Sequence, residues 1–412
     1  MTPPYRVDHV GSLLRPLELI EARAPLTRSQ RGWGEPATDD ELAKLPKITA
    51  DSIRAVVKKQ IEEGVRTISS GEYERTTFFD GMFEALSGVE QRRFSWDAYH
   101  PDLPTNRPLK KWGMTGRDSF IATGRVKREK PAYVDDWLFL RSCLPEERWK
   151  DAKMTMPPPT WEFAQLSKAY TDDSGYISDE EYLSDVASAM REEILELYDN
   201  GLRNIQIDDP NWSSFCDESW TKSLRKHGVD IRKWLELTVH AHNTLLRDLP
   251  ADLNIGLHIC RGNYPKGVYI VSGGYEKIAA KLFRETAYKI FYLEFDSPRA
   301  GDFGPLKHIP ASRAVVLGVV STKEAKLENF SETKERILAA ARVIADARGI
   351  SKDEALQEHL AISPQCGFSS DHSGGGEGVT QAIMWEKLKL LRDLAAELWP
   401  NWRSSYVDSD RS

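Results

Sequence analysis

The fold prediction rests on residues 178–208, SDEEYLSDVASAMREEILELYDNGLRNIQID. Ser178 and Glu181 resemble a capping box at the start of a helix, and the apolar residues after them include helical spacings. Gly201 ends this helix, and residues 204–208 then alternate polar and apolar side chains as a strand does. The stretch is therefore one helix–glycine–strand unit.

The same order of elements occurs twice more along the chain. Gly64 separates a helical pattern from a strand at 65–69, and Gly349 follows a helix over about 331–347 that leads to a strand at 360. Helical patterns separate most of eight strand candidates, which are 5–10, 65–70, 151–156, 204–208, 254–259, 290–295, 314–320 and 360–363. Parallel βα units have this order, so the sequence predicts an α/β fold, a TIM (β/α)8 barrel.

Two regions depart from this order. Residues 22–50 contain several prolines and charges and are predicted to form a long loop over the C-terminal face of the barrel. Residues 90–150 form a second insertion, with a hairpin strand at 120–126. We expect a single barrel domain over residues 1–412, with a frayed tail at 404–412.

Composition excludes several classes of function. The net charge of −7 argues against a nucleic-acid partner, and no apolar run approaches the length of about 20 residues that a membrane span needs. Four cysteines form no disulfide framework and suit a reducing compartment, and the first residues lack the apolar core of a signal peptide. We therefore expect a cytoplasmic protein, with homo-oligomerisation left open.

Four metal-binding residue types follow predicted strands. His258 and Cys260 end the fifth strand, Glu294 ends the sixth, and Cys366 follows the eighth. Thiolates with an imidazole suit Zn²⁺. The His258–Cys260 pair alone favours a core histidine beside a buried cysteine, but a carboxylate after an apolar strand needs a compensating partner. Together the four residues favour a catalytic metal site.

Other polar residues follow strands at the same end of the predicted barrel. Ser12 follows the first strand, Glu72 the second, and Asp208 and Asp209 the fourth. The active sites of TIM barrels are built from loops at the C-terminal ends of the strands. The sequence therefore places these residues and the metal-binding set around one site.

Six ordered motifs resemble those of the cobalamin-independent methionine synthase family, in its short, single-barrel branch. The motifs are HVGSLLRP at 9–16, GEYER at 71–75, IDDP at 207–210, HIC at 258–260, LE at 293–294 and SPQCGF at 363–368. The resemblance implies an enzyme like 5-methyltetrahydropteroyltriglutamate–homocysteine S-methyltransferase, with zinc held by His258, Cys260, Glu294 and Cys366. It also implies that homocysteine binds at Gly11 and Ser12 and gives its ammonium group to Glu72 and Asp208.

The identity of the methyl donor stays open. The resemblance implies a folate-type donor, but the family's long members have an Asp-x-His element after the seventh strand, where this chain reads VVSTK at 319–323. Zinc-dependent thiol alkyltransferases of the epoxyalkane:coenzyme M type share a similar start and are an alternative. A non-catalytic zinc-binding or thiol-binding barrel is a third reading.

Further residues have two readings each. His9 and Arg15 are candidates to contact a substrate carboxylate, although an arginine in a first loop is as often structural. Trp161 and Trp212 either stack on a pterin or pack in the core. The glycine-rich loop at 372–378 fits no phosphate-binding fingerprint and is read as a flexible connection.

Overall fold

The computed structural model describes residues 3–31, 37–400 and 402. Within this part of the chain the α-helices are α1 (Leu17–Arg31), α2 (Asp39–Glu62), α3 (Asn106–Lys111), α4 (Val134–Ser142), α5 (Trp161–Gln165), α6 (Asp179–Asp199), α7 (Asn211–Ser214), α8 (Glu218–Lys226), α9 (Ile231–Leu245), α10 (Glu276–Glu285), α11 (Phe330–Arg348), α12 (Lys352–His359) and α13 (Gln381–Leu398). The strands are β1 (Leu86–Ser95), β2 (Gly116–Arg128), β3 (Met154–Met156), β4 (Asn204–Asp208), β5 (Asn254–Ile259), β6 (Ile290–Glu294), β7 (Ala314–Val320), β8 (Leu360–Pro364), β9 (Ser369–Asp371) and β10 (Gly374–Gly375). Short 3₁₀ helices are Phe83–Ala85, Trp96–Ala98, Glu146–Asp151, Pro265–Gly267, Pro298–Ala300 and Gly304–His308.

Strands β3 to β8 form one parallel sheet in chain order. Each strand connects to the next through helical segments, so the α/β fold and the parallel units are confirmed. The helix predicted over residues 331–347 is also confirmed, as α11, although α12 follows it before the last strand. This is the arrangement of a TIM-type barrel, in which the carboxyl ends of parallel strands lie at one face.

Two further segments extend the edges of this sheet, and both are shorter as strands than predicted. Val7 makes one parallel bridge to Ile362 of β8, and Ile68 makes one to Ala152 just before β3. Beyond these bridges, the Leu13 N–H donates to Gly71 O at 3.2 Å, so the loops after the two segments contact each other.

A side chain replaces part of the missing strand ladder at the second segment. The buried Gln60 of α2 accepts the Ser69 N–H at 3.1 Å and donates to Ser69 O at 2.8 Å. A carboxamide that binds both backbone groups of one residue competes with a strand partner, and this explains the shortened strand.

The prediction of a loop over residues 22–50 is wrong, because the later part of α1 and the first half of α2 occupy most of this region. Thr38 and Glu41 form a capping box that starts α2, and the helix continues through Pro46. An interior proline costs about 3 kcal/mol. Burial of Leu45, Ile53 and other apolar residues of α2 contributes about 1.5–3 kcal/mol per side chain and outweighs that cost.

The insertion at residues 90–150 contains the predicted hairpin. Strand β1 pairs with β2 in antiparallel register, and β2 includes the strand expected at 120–126. Buried polar contacts attach the hairpin to the barrel helices, since Arg128 pairs with Glu193 of α6 at 2.7 Å. The hairpin and α3 therefore stand over one end of the barrel as an ordered cover.

The frayed tail expected at 404–412 lies outside the described residues. Among the helices that are described, none combines the length and apolar character required to cross a membrane.

Candidate metal centre and substrate cavity

A cavity of about 260 Å³ opens at the carboxyl ends of the strands, beneath the hairpin and α3. Its lining includes Ser12 and Glu72 from the first two loops, Asp208 from the end of β4, and three members of the predicted metal set, which are His258, Cys260 and Cys366. The predicted convergence of these residues on one site is therefore observed.

The four predicted metal ligands come together at one point. One donor atom from each of His258, Cys260, Glu294 and Cys366 lies within 4.8 Å of the others, and all four residues are buried. Sγ of Cys260 and Sγ of Cys366 are 3.3 Å apart. Because the four side chains come from β5 and the residue after it, from β6 and from the loop after β8, only the curvature of the sheet brings them into one group.

The imidazole of His258 is prepared for a ligand role. Its Nδ1 lies 3.2 Å from Tyr292 O, and its buried Nε2 has no hydrogen-bond partner among the described residues. Burial lowers the pKa of His258 to about 3, so the ring is neutral near neutral pH. A buried ring nitrogen with no hydrogen-bond partner is unusual, and coordination to a metal ion would supply the missing partner.

Glu294 is held by cationic and backbone donors. Its Oε1 accepts the Arg261 N–H at 2.9 Å, and its Oε2 pairs with the Arg299 guanidinium at 3.1 Å. Burial raises the pKa of Glu294, and the neighbouring Asp296 raises it further. A cation beside this carboxylate would offset both effects.

Lys323 lies close to the same centre. Its Nζ donates to Gly262 O at 3.1 Å and also contacts Asn263. Burial lowers the pKa of Lys323, while attraction to Cys366 and Cys260 acts in the opposite direction. The loop after the seventh strand therefore carries the buried Lys323 in the segment VVSTK, which contains no histidine.

Glu72 and Asp208 present a second polar face to the cavity. Glu72 Oε1 accepts a hydrogen bond from Thr155 Oγ1 at 2.7 Å, and Asp208 Oδ1 accepts one from Gln206 at 2.6 Å. Burial raises the pKa of both carboxyl groups, and repulsion from Glu72 raises that of Asp208 further. A bound cation such as an ammonium group would relieve this repulsion.

Gly11 permits close approach of the first loop to Glu72. It has a φ of +128°, and a Cβ added there would lie 2.8 Å from Glu72 Oε1 and 2.7 Å from Thr155 Cγ2. Ser12 lines the cavity and donates from Oγ to Ser369 O at 2.9 Å. The Gly11-Ser12 backbone therefore lies directly beside the Glu72 carboxylate.

The three secondary candidates have structural partners. The Arg15 guanidinium reaches the cavity lining but donates to Glu72 O at 2.5 Å and to Arg75 O at 2.8 Å. His9 accepts the Gly11 N–H at 3.1 Å, and Asp209 pairs with His242 at 3.0 Å. Neither His9 nor Asp209 is among the described residues that line the cavity, so these two stabilise the loops beneath it.

Of the two tryptophans that either stack on a ligand or pack in the core, each fits a different role. Trp161 lines the cavity and stacks on Phe79 with ring centroids 4.8 Å apart. Trp212 is fully buried, and its indole N–H lies 3.4 Å from His242 Nε2. Trp212 therefore packs in the core, whereas Trp161 is available to a ligand.

Sequence reasoning missed the outer wall of the cavity. Apolar and basic side chains from the loop before the hairpin, from the hairpin itself, from α3 and from the residues just after α3 complete this wall, among them Phe78, Phe79, Arg93, Leu109, Trp112, Met114 and Arg117. The signal that could have found it is the Phe-Phe pair after the Glu-Tyr-Glu-Arg motif, together with the aromatic and basic content of the insertion.

The family comparison fits this site. The profile of the cobalamin-independent synthase catalytic domain matches residues 166–384, which is more than half of the chain. The chain belongs to the cobalamin-independent methionine synthase-like family. Membership of this family supports a methyltransferase enzyme. The matched residues 166–384 include Asp208 and all four residues of the predicted metal set.

Individual relatives extend the match to nearly the whole chain. "Uncharacterized protein YxjH" of Bacillus subtilis is 31% identical over 96% of this chain and 95% of its own length. The structure of a "Putative Vitamin-B12 Independent Methionine Synthase" from Listeria monocytogenes is 25% identical, with a TM-score of 0.68 over 97% of this chain and 99% of that one.

More distant members share the fold or part of the sequence. A B12-independent methionine synthase from a Shewanella species has the same fold, at 19% identity and a TM-score of 0.63, over 98% of this chain and 100% of that one. The 5-methyltetrahydropteroyltriglutamate–homocysteine methyltransferase of Vibrio cholerae is 28% identical over 52% of this chain, which corresponds to 24% of its own length.

Proposed function

We propose that this family member is a zinc-dependent S-methyltransferase that methylates the thiol of homocysteine to give methionine, with a folate-type methyl donor. The observation that carries the proposal is the convergence of two polar groups of residues on one cavity. The thiol-imidazole-carboxylate centre borders it on one side, and the Glu72–Asp208 pair borders it on the other.

The donor set of the centre supports zinc. Two thiols, one imidazole and one carboxylate are ligands that zinc prefers, and four such ligands complete a tetrahedral site. With Zn–S bonds of about 2.3 Å, two tetrahedral sulfurs lie about 3.8 Å apart. The 3.3 Å between Cys260 and Cys366 is near this value and well beyond the about 2.05 Å of a disulfide. Zinc held here would lower the pKa of a substrate thiol and favour its reactive thiolate form.

The amine end of homocysteine fits the carboxylate pair. Glu72 and Asp208 are buried, and burial of two like charges favours a cationic guest between them. The Gly11-Ser12 segment lies beside Glu72, and Ser12 lines the cavity there, next to the rest of a bound amino acid. An α-amino thiol would therefore lie between the carboxylates and the metal ligands.

The methyl donor would lie against the outer wall of the cavity. Phe78, Phe79 and Trp161 form an aromatic cluster there, with Phe79 and Trp161 stacked. Flat aromatic rings bind such surfaces by stacking. The reaction forms an S–CH₃ bond, breaks the donor's N–CH₃ bond, and leaves a nitrogen that takes up the proton released by the thiol. The hairpin and α3 would exclude water from this exchange.

One observation favours a second candidate, a zinc-dependent alkyltransferase with another donor. The position after β7 that could hold a proton-donating histidine has Lys323, whose ammonium is bound to Gly262 O and Asn263. A donor whose leaving group needs no proton, such as a sulfonium, suits this arrangement without a histidine.

A donor-by-thiol activity matrix tests the proposal. Purified protein with one zinc per chain is incubated with methyl-folate as mono- and triglutamate, S-methylmethionine or an epoxide, each with several thiols. We expect methionine from homocysteine and a methyl-folate. If S-methylmethionine is the only donor that methylates homocysteine, the result favours the second candidate. A protein that binds no zinc and turns over no pair would contradict both.

A further inference from the structure

A line of buried hydrogen bonds crosses the barrel interior beneath the cavity and ends on Asp208, and neither the proposed chemistry nor the family motifs include its members Lys153, Asp8 and Gln206. It begins at Lys153, directly before β3, whose side chain is 2% exposed. The Lys153 Nζ donates to Asp8 Oδ1 and to His9 O at 2.6 Å each, and to Gln206 Oε1 at 2.9 Å. All three ammonium hydrogens are therefore engaged.

The contact with Lys153 orients the Gln206 carboxamide. Because the amide oxygen accepts from Lys153, the amide nitrogen must point the other way. That nitrogen donates to Asp208 Oδ1 at 2.6 Å and to Val10 O at 2.7 Å. A flipped amide would place N–H groups against an ammonium and an oxygen against a carboxylate. Gln206 is fully buried, so water cannot stabilise the flipped form.

The line ends on the carboxylate that faces the substrate. Asp208 Oδ1 is occupied by Gln206, whereas Oδ2 accepts no hydrogen bond from the residues that the structure describes. Asp208 lines the cavity. One oxygen is thus anchored below, which leaves the other to bind a ligand.

The contacts of Asp8, at the end of the line opposite Asp208, hold the Lys153 side chain in place. Asp8 accepts from Lys153 through Oδ1 and from the Tyr292 hydroxyl through Oδ2 at 2.8 Å. The Lys153 Nζ also lies 4.9 Å from the centroid of the Tyr292 ring. Neutralisation of Asp8 explains the presence of a lysine, but it does not explain the third bond, from Lys153 to Gln206.

We propose that Lys153 and Gln206 are positioning residues that direct Asp208 Oδ2 at the amine of the substrate and so determine specificity for α-amino thiols. The proposal rests on the proposed function, because it assumes that Asp208 binds an amine. Gln206 acts through Asp208, and Lys153 acts through Gln206. Neither residue is among those that line the cavity.

The test compares binding of homocysteine and of 4-mercaptobutanoate, which is homocysteine without its amine. Calorimetric titration of the zinc-loaded protein in the absence of a methyl donor gives Kd for each thiol. Gln206→Met keeps the side-chain length and removes the three polar contacts to Lys153, Asp208 and Val10 O. Loss of a charge-assisted bond corresponds to about tenfold or more in affinity. We expect Gln206→Met to raise Kd for homocysteine by that factor and to leave Kd for 4-mercaptobutanoate within about threefold.

Asn204→Leu is the matched control. Asn204 lies two residues before Gln206 on the same face of β4, and its amide donates to Lys150 O and Ala152 O rather than to Asp208. This change should lower the melting temperature without altering the ratio of the two Kd values. If Gln206→Met does not melt cooperatively, the double variant Lys153→Met with Asp8→Asn is tested by the same ratio of the two Kd values. This variant removes both members of the ion pair together, so that neither is left as an unpaired buried charge.

Each outcome is informative. A ratio that Gln206→Met leaves unchanged, in a wild-type protein that does prefer homocysteine, overturns the positioning role and leaves the proposed function intact. A wild-type protein that binds both thiols equally shows that Asp208 and Glu72 do not bind the amine, which contradicts that part of the proposed function as well. A selective rise for homocysteine supports both.

Discussion

Sγ of Cys260 and Sγ of Cys366 lie 3.3 Å apart, although 106 residues separate them along the chain. Cys260 follows β5 and Cys366 follows β8, with β6 and β7 between these strands in the sheet. Neighbouring strands are about 4.8 Å apart, so strands three places apart in a flat sheet would be separated by about 14 Å. The close contact therefore depends on the curvature of the sheet, so a metal ion held by both cysteines would link metal binding to barrel folding.

Replacement of Cys366 by serine should remove the metal and leave the fold. The change deletes one thiol with little change in volume, so we expect zinc content well below one per chain and a cooperative melt with a lower midpoint, because bound metal stabilises the native state. Cys143→Ser is the matched control, since Cys143 lies just after α4, its Sγ donates to Phe139 O, and it is not a member of the candidate metal group. Full zinc occupancy in Cys366→Ser, measured by elemental analysis, would show that Cys366 is no ligand.

Chelation of the metal should make the two site cysteines oxidise to each other. Their sulfurs need to approach from 3.3 Å to the about 2.05 Å of a disulfide. We expect mild oxidation after chelation to remove two free thiols per chain and to give a peptide that joins residues 260 and 366 in mass spectrometry. Zinc-loaded protein treated in the same way should keep all its thiols. Pairing of Cys143 or Cys216 instead would contradict the geometry.

Glu72→Gln should weaken binding of an amino-acid thiol selectively. Loss of one charge-assisted bond corresponds to about 1.5–3 kcal/mol, or roughly 10- to 150-fold in apparent KM. A thiol without an amine should change little. Glu74→Gln is the control, because Glu74 belongs to the same sequence motif but accepts from Ser70 Oγ and is absent from the described cavity lining. Equal losses for both thiols would show that Glu72 does not bind the amine.

Phe79→Ala should affect the donor and not the thiol. The change removes the ring that stacks on Trp161 at the outer wall. We expect a rise in KM for a flat aromatic donor of about fivefold or more, since aromatic pairs contribute about 0.5–1.5 kcal/mol beyond burial of their surface. Phe163→Ala is the control, because Phe163 packs edge-on against Trp234 away from the described lining. A rise in KM for the thiol alone would place the thiol, rather than the donor, against Phe79.

His9 should make the metal-free protein less stable in acid. Burial lowers its pKa to about 4, below the 6.5 of the unfolded chain. The unfolded state therefore binds more protons between about pH 4 and 6.5, so this contribution to stability is complete above 6.5 and is lost as the pH falls toward 4.

The measurement is the free energy of unfolding by urea across this range of pH, with the metal removed. His9→Gln should reduce the slope by up to about 1.4 kcal/mol per pH unit, which is the value for one proton. His227→Gln, at an exposed position after α8, should leave the slope unchanged. An unchanged slope in His9→Gln would show that His9 keeps an ordinary pKa in the folded protein.

Local patterns predicted the elements that interact mainly with near neighbours along the chain. The unit at residues 178–208 forms α6 and β4, with Ser178 as the N-cap, because capping and helical spacing act within a few residues. At residues 22–50 local signals gave a wrong prediction of a loop. There proline argued against a helix, but burial of the apolar face of α2 in the tertiary structure decided otherwise.

The convergence of the candidate ligands could be predicted because ligand types are rare and strand ends have a fixed place in parallel barrels. His258, Cys260, Glu294 and Cys366 follow strands, and strand ends converge in this architecture. Period two also predicts that Asn204, Gln206 and Asp208 share one face of β4. It does not say which of the polar residues near the strand ends reach the cavity.

By itself, the sequence determined the α/β architecture and pointed to the candidate metal ligands and the carboxylates at strand ends, because these depend on residue type and on spacing within single elements. Only the tertiary structure decided that His9 and Asp209 bind beneath the cavity, that an aromatic wall closes it, and that Lys153 reaches Asp208 through Gln206. These contacts join segments far apart in the chain. Their energies depend on distances and burial that exist only after the strands have assembled.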